Sequence, residues 1–332
     1  MSSIDRRESL RRLAALALPL TSGVSLRAHA QSAAGDGGQI VYGFSEGGVA
    51  TAIGNSLAEA LSAPPLGRMG FRHMPGSGGR LAHELVKRAA PDGRSLLYAS
   101  SSSLTLMPHL FRKLGYTLED YRAVAPLYEF TRSFTVGPRV PAAVQTLDDY
   151  VRWVQQDPTQ AIYGVPAMGS ASHLVGMLVS RSRNLTLRPN AYRGSASLIK
   201  DLVSGAVPAG LTIVGQNLDD FRSGKLRSLG VSSAEAWPGL PSVPTLLQQG
   251  VADCAIVEWH GLLGPATLPP ELAQAIQSRV AQYQSSDAVR RLAEAQSLRM
   301  VNLAPQDFHE YVQADATRWA RIVQQTRFTA QE

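Results

Sequence analysis

The feature that most constrains the fold is a unit that recurs along the chain: a short apolar run, a turn of glycine and serine, then apolar residues at helical spacing. Ile40 to Phe44 is such a run, followed by Ser45-Glu46-Gly47-Gly48 and by Val49, Ile53, Leu57 and Leu61. Steps of four residues put those side chains on one helix face, and Ala63-Pro64-Pro65 stops the helix. Pro75-Gly76-Ser77-Gly78-Gly79 opens a second helix with Leu81, Leu85, Val86 and Ala89 on one side, closed by Pro91-Asp92-Gly93. Ser95 to Ala99 reads as a strand that runs into Ser100-Ser101-Ser102-Ser103. Phe134-Thr135-Val136 is another, and Thr146 with Asp149 forms a capping box ahead of Leu147, Tyr150, Val151 and Val154. Ile162 to Val165 leads into Gly169-Ser170-Ala171-Ser172-His173, with Leu174, Val175, Leu178 and Val179 behind it. Two more helices start near Glu271 and Pro305, the second with a stripe of Phe308, Tyr311, Val312, Trp319, Ile322 and Val323. This alternation defines an α/β chain whose mostly parallel sheets are flanked by helices.

A chain of 332 residues, 44% hydrophobic, buries one large core or two medium ones. The net charge of +6 is smaller than it looks, because residues 1–30 hold five arginines against Asp5 and Glu8. About three positive charges remain beyond them, too few for a nucleic-acid surface but suited to an anionic small ligand. The single cysteine, Cys254, excludes an intramolecular disulfide framework and a cysteine-based zinc site. Residues 1–30 read as a signal peptide: a basic run through Arg6-Arg7 and Arg11-Arg12, an apolar stretch from Leu13 to about Leu26, then Ala28-His29-Ala30 as a small-x-small cleavage pattern. The apolar stretch is too short, and broken by Pro19, to span a bilayer. The adjacent arginines are twin-arginine-like, with Ser9 where a bulky aromatic is usual. The sequence thus places the mature protein, cut near Ala30, in the periplasm.

Each glycine–serine turn delivers a helix N-terminus, with free backbone N–H groups and a positive dipole end, to the C-terminal edge of a sheet. Ser45–Thr51, Gly76–Arg80 and Gly169–His173 are expected to converge on one carboxylated ligand above the strands. The chemistry of enzymes is thin. Gly76-Ser77-Gly78-Gly79 lacks the Lys-Ser/Thr of a phosphate loop and the downstream acid of a dinucleotide fingerprint, and no Gly-x-Ser-x-Gly elbow occurs. The histidines are scattered without metal spacing, so neither metal nor cofactor is expected. His173, in the first turn of its helix, is placed to donate to an anion, and Arg193 to pair a carboxylate bidentately. The periodicity of the second helix puts His83 on a solvated face. Glu258-Trp259-His260 offers a base beside an aromatic wall, with no positioned nucleophile.

In this order and spacing, Met74-Pro75-Gly76-Ser77-Gly78-Gly79, Ala89-Ala90-Pro91-Asp92-Gly93, Tyr192-Arg193-Gly194-Ser195-Ala196, Ser223-Gly224-Lys225-Leu226-Arg227 and Leu240-Pro241-Ser242-Val243-Pro244-Thr245 are specific. From about Ile40 to Phe308 the chain resembles the substrate-binding proteins of the tripartite tricarboxylate transporter family, the Bug proteins. The resemblance implies a two-lobed periplasmic binding protein fold of type II kind, with crossing hinge strands that close on ligand like a clamp. Lobe 1 would comprise residues 37–135 and 256–332, and lobe 2 residues 136–255. A small carboxylate would be held mainly by backbone N–H groups and ordered water. One wall would supply Phe44, Ser45, Gly47, Gly48 and Thr51 with Gly76, Ser77, Gly78, Ser100 and Ser101. The other would supply Gly169, Ser170, Ala171, Ser172 and His173, supported by Arg193, Gly194 and Ser195. The implied partner is a membrane transporter complex of the same family, or a signalling protein, with the receptor itself a monomer that binds no nucleic acid.

The first loop departs from the family's Pro-Phe-x-x-Gly-Gly-x-x-Asp: Gly43 replaces the proline and Thr51 the aspartate, while Glu46 adds an acid. Gly205-Ala206-Val207-Pro208 stands where Gly-x-Val-Asp is usual. Loss of the aspartate acceptor disfavours an amino-acid ligand and favours a plain mono- or dicarboxylate or an aromatic carboxylate. Two competing readings remain: a periplasmic hydrolase or isomerase using Ser170 or Ser195 with His173, which lacks an acidic partner nearby, and a fold that binds a protein instead of a metabolite.

Overall fold

The computed structural model describes residues 37–329; the signal segment, residues 1–30, lies outside them. In chain order the elements are β1 (Gly38–Tyr42), α1 (Gly48–Leu61), β2 (Met69–His73), α2 (Arg80–Lys87), β3 (Ser95–Ser100), β4 (Tyr121–Phe130), β5 (Arg132–Val136), α3 (Leu147–Gln156), β6 (Ile162–Val165), α4 (Ala171–Ser182), β7 (Arg188–Ala191), α5 (Ser195–Ser204), β8 (Ala209–Ile213), α6 (Leu218–Arg222), β9 (Arg227–Val231), β10 (Glu258–Pro265), α7 (Pro270–Gln284), α8 (Asp287–Ala295), β11 (Arg299–Met300) and α9 (Pro305–Thr326). They form two sheets, ordered β11-β4-β10-β3-β1-β2 and β7-β6-β8-β5-β9.

The α/β alternation expected from the sequence is present, but the sheets are mixed. Pairing is parallel where a helix carries the chain back, as in β1–β2, β1–β3, β6–β7 and β6–β8. It is antiparallel where a strand arrives from the other sheet or from a distant segment, as in β10 on β3 and β4 and β5 on β8 and β9. A crossover helix enforces parallel pairing and a returning strand is free of that constraint.

Each sheet carries its own core. Ile53, Leu57 and Leu61 of α1 pack on one face of the first sheet with Ile276 and Val280 of α7. Ala82 and Val86 of α2 cover the other face with Phe308 and Val312 of α9. The second sheet is covered by Tyr150 and Val154 of α3 and Leu174, Val175 and Leu178 of α4, and by Leu198 and Leu202 of α5. The Thr146–Asp149 capping box closes the start of α3. Helix α9 joins both cores: past Phe308 and Val312 its Trp319 and Ile322 enter the second one. Between them, buried Asp315 accepts from Thr105 Oγ1 at 2.7 Å and from Trp259 Nε1 at 3.0 Å.

The chain crosses from the first sheet to the second through Thr131 alone, which separates β4 from β5, and returns along residues 232–257. Ser232 stitches the two crossings, since its N–H donates to Arg132 O at 2.8 Å and its hydroxyl to Ile256 O at 2.8 Å.

One expectation fails on α2. His83 is buried, with Nε2 3.0 Å from Ser103 Oγ and its ring stacked on Tyr116, whereas Leu81 is 47% exposed. The buried face is Ala82, His83 and Val86. Small Ala82 lets the helix settle close to the sheet, and the hydroxyl supplies the imidazole's partner.

Candidate functional site

The loop after β1 is built around close backbone contacts. A side chain on Gly43 would lie 2.6 Å from Gly79 Cα, so this loop and the Gly76–Gly79 loop touch through backbone. Gly79 itself has φ 94°, a left-handed value that favours glycine. Phe44 lies over Gly79 and packs against Tyr42 with ring centroids 5.2 Å apart, and its carbonyl accepts from His73 Nδ1 at 3.1 Å. Thr51 closes the turn: its hydroxyl accepts from Gly47 N–H at 2.8 Å and donates to Gly47 O at 3.0 Å. Gly47, at φ 128°, caps α1 with no side-chain acceptor for the first helical N–H groups and no acidic residue in the first turn. A 14-residue helix with an open N-terminus is a ready anion site.

That N-terminus opens on a cavity of about 150 Å³. Gly47, Gly48, Val49 and Ala50 form one side, Tyr42, Tyr128, Phe130 and His260 the floor, and Ile213, Gly215 and Gln216 arrive from the second sheet. Gln296 and Leu298 close the rim. A side chain on Gly215 would stand 1.9 Å from Gln296 O, so segments of the two sheets meet there backbone to backbone. His260 is 8% exposed, and burial pushes its pKa down to about 3, which keeps the imidazole neutral. Its Nδ1 lies 2.7 Å from Tyr128 Oη, and Tyr98 Oη donates to the same Tyr128 oxygen at 3.1 Å.

The remaining sequence-selected residues fall in three places. Ser45, Gly76, Ser77 and Gly78 sit at exposed or half-buried loop positions beside the first loop. Ser100 and Ser101 are buried: Ser100 Oγ accepts from Ser103 N–H at 3.2 Å and Ser101 Oγ from Trp259 N–H at 3.2 Å. At the start of α4, Ser170 caps the helix by accepting from His173 N–H at 3.3 Å, and His173 Nδ1 accepts from Gly169 N–H at 3.1 Å. His173 packs edge-on against Phe328, and Ala171 and Ser172 are fully buried. Gly169–His173 thus borders an open groove with Met168, Met177 and Phe328 and does not line the cavity at α1. Arg193 is exposed, and Gly194 N–H donates to Pro166 O at 3.3 Å, docking the Arg193–Ser195 loop beside the approach to α4.

A buried polar chain links the serine loop to α4. Ser102 Oγ donates to Glu258 Oε1 at 2.5 Å, Glu258 pairs with Arg132, and Arg132 Nη1 donates to Ser172 Oγ at 2.8 Å. Ser172 Oγ donates in turn to Leu211 O at 3.0 Å. Arg132 and Glu258 are both buried, so the pair is compensated only by each other and these hydroxyls. Glu258 is therefore an ion-pair partner and not the base that the Glu-Trp-His run suggests.

Sequence reasoning missed Tyr42, Tyr128, Phe130, Ile213, Gly215, Gln216, Gln296 and Leu298 as cavity residues. His260 carried a signal, its place beside Trp259 in an otherwise apolar run, but the neighbouring Glu258 drew the chemical reading. The hydrolase geometry is not formed. His173 Nδ1 is held by Gly169 N–H, and Ser170 Oγ donates to Ala167 O at 2.7 Å, so the serine proton is not directed at the imidazole. Among the described residues no group of three or more His, Cys, Asp or Glu is set to hold a metal ion.

Two mixed sheets joined through Thr131 and through residues 232–257, with a cavity between them at an uncapped helix N-terminus, fit a solute-binding receptor. The chain belongs to the family described as "Tripartite tricarboxylate transporter family receptor", which matches residues 62–328. Protein BugT of Bordetella pertussis is 25% identical over 297 residues, 87% of this chain and 88% of that protein. Among solved structures, R. palustris Rpa4515 with adipate is similar at TM-score 0.77 and 23% identity, covering 88% of this chain and 98% of that one. MatC from Rhodopseudomonas palustris with bound malate is similar at TM-score 0.73 and 23% identity, covering 86% and 98%. No described helix is long and apolar enough to cross a membrane.

Proposed function

We propose that this chain is an exported receptor that captures a small carboxylate between two lobes, one on each sheet, and delivers it to a membrane transporter complex or a signalling partner. The boundary expected after residue 135 moves to Thr131, because β5 (Arg132–Val136) pairs within the second sheet. The observation that carries the reading is the cavity at the uncapped N-terminus of α1, lined from both sheets. Backbone N–H groups at a helix start bind an anion without a formal positive charge. Adipate and malate in the two similar structures support the carboxylate class. The Phe44–Thr51 and Gly76–Gly78 loops supply the first wall, Ser100 and Ser101 brace it, and Gly169–His173 with Arg193–Ser195 supply the second when the lobes close. Export with cleavage near Ala30 delivers the receptor to the periplasm.

A thermal-shift screen of residues 31–332 against mono-, di- and tricarboxylates tests this. A ligand at a hundredfold excess over its Kd stabilises the fold by about 2.7 kcal/mol, and Val49→Trp, which fills the cavity from α1, should abolish the shift while leaving the ligand-free melting point within a few degrees. A carboxylate whose shift survives Val49→Trp would place capture elsewhere, and no shift with any carboxylate would overturn the receptor reading.

A further inference from the structure

The cavity at α1 carries more chemistry than an anion site requires. Four rings gather at His260: Tyr98 at 5.3 Å, Tyr128 at 5.1 Å, Phe130 at 5.5 Å and Tyr42 at 5.8 Å between centroids. Three of these neighbours, Tyr42, Tyr128 and Phe130, line the cavity itself, with Ile213 and Leu298 opposite. Among the described residues no arginine or lysine lines it. A cavity of about 150 Å³, walled mainly by aromatic and aliphatic side chains with Gln216 and Gln296 beside them, has room for a benzene ring, and aromatic walls favour an aromatic guest by offset or edge-to-face contacts.

The hydrogen bonds fix the polarity of the floor. Tyr98 donates to Tyr128 Oη, and His260 Nδ1 is the one acceptor left for the Tyr128 proton among the described residues, so we assign that proton to the Tyr128–His260 contact. A neutral imidazole that accepts at Nδ1 carries its proton on Nε2. Nε2 has no hydrogen-bond partner among the described residues, on a side chain more than nine-tenths buried that lines the cavity. The cavity therefore offers an anion site at its α1 side and one uncharged donor at its aromatic floor.

On the basis of the receptor reading above, we propose that the ligand is an aromatic monocarboxylate bearing an uncharged hydrogen-bond acceptor on the ring, its carboxylate at the Gly47–Ala50 N-terminus of α1 and its ring among Tyr42, Tyr128, Phe130 and His260. A second carboxylate is disfavoured at the floor, because one neutral donor among aromatic rings does not offset the desolvation of a charge. The missing aspartate at position 51 agrees with this choice, since the Thr51 hydroxyl is spent on its own turn.

Calorimetric titration with benzoate, 4-hydroxybenzoate, succinate and adipate tests the assignment. 4-Hydroxybenzoate should bind about tenfold more tightly than benzoate, the worth of one hydrogen bond, and both more tightly than succinate or adipate. His260→Phe keeps a ring and removes the donor, so within this variant 4-hydroxybenzoate should lose its tenfold advantage and bind no more tightly than benzoate. Should His260→Phe fail to fold, Val49→Trp substitutes: it should remove binding of both aromatic acids. Binding of succinate or adipate with none of the aromatic acids would overturn this inference and leave the receptor reading intact. Equal affinity for the two aromatic acids, or an equal loss for both in His260→Phe, would also overturn it. Failure of every carboxylate to bind would overturn the receptor reading itself.

Discussion

At the scale of single residues, the buried histidines make the fold sensitive to acid. Burial holds His83 and His260 at about 3, against an ordinary histidine value near 6.5. Both imidazoles stay neutral in the fold between those values, while the unfolded chain takes up protons. The stability they contribute is full above pH 6.5 and is lost as pH falls towards 3, by about 1.4 kcal/mol per pH unit for each group well below 6.5. Urea unfolding at pH 7.5, 5.5 and 4.5 should show this decline, and His260→Phe should remove about half of the share that His83 and His260 contribute. A slope identical in the variant would contradict the buried neutral state. The same residues mark the limits of reading sequence. His83 follows Leu81 and Ala82 in a helix of four-residue periodicity, which misjudged the buried face by about one residue because a histidine satisfied by a distant serine looks polar on a wheel.

At the scale of elements, the glycine and serine loops were legible because their cause is local. Gly43, Gly47 and Gly79 are needed for backbone approach and left-handed φ, and those needs write themselves into composition. The cavity was not legible. Tyr128 and Phe130 end β4, Ile213 ends β8, and Gln296 and Leu298 flank the turn after α8; nothing in their own neighbourhoods announces that three distant segments meet. The Arg132–Glu258 pair is of the same kind, since it joins the first residue of β5 to the first residue of β10 across the sheets. Arg132→Leu leaves Glu258 buried with only the Ser102 hydroxyl, and should cost about 3–5 kcal/mol. Arg132→Leu with Glu258→Leu should recover most of that loss. Chemical denaturation of the two variants checks it, and a double variant no more stable than the single one would show that the pair does more than satisfy itself.

At the scale of the whole molecule, two cores share one helix and two crossings, Thr131 and residues 232–257. Thr131 and Ser232 hold the crossings together, and α9 places Phe308 in one core and Trp319 in the other. A cavity whose walls come from both sheets changes shape with their separation, so the proposed ligand contacts would be linked to closure of the lobes. The order of elements was readable from the alternation of strands and helices; the mixed pairing was not, because β4 and β10 carry no local mark of direction. The central claim is that the α1 N-terminus captures a carboxylate. The measurement that tests it most directly is calorimetric titration of the mature chain with benzoate and adipate against their uncharged amides, benzamide and adipamide. One-site saturable binding by an acid, with its amide at least a hundredfold weaker, is the expected result. An amide that binds as well as its acid, or no binding by any acid, would contradict it.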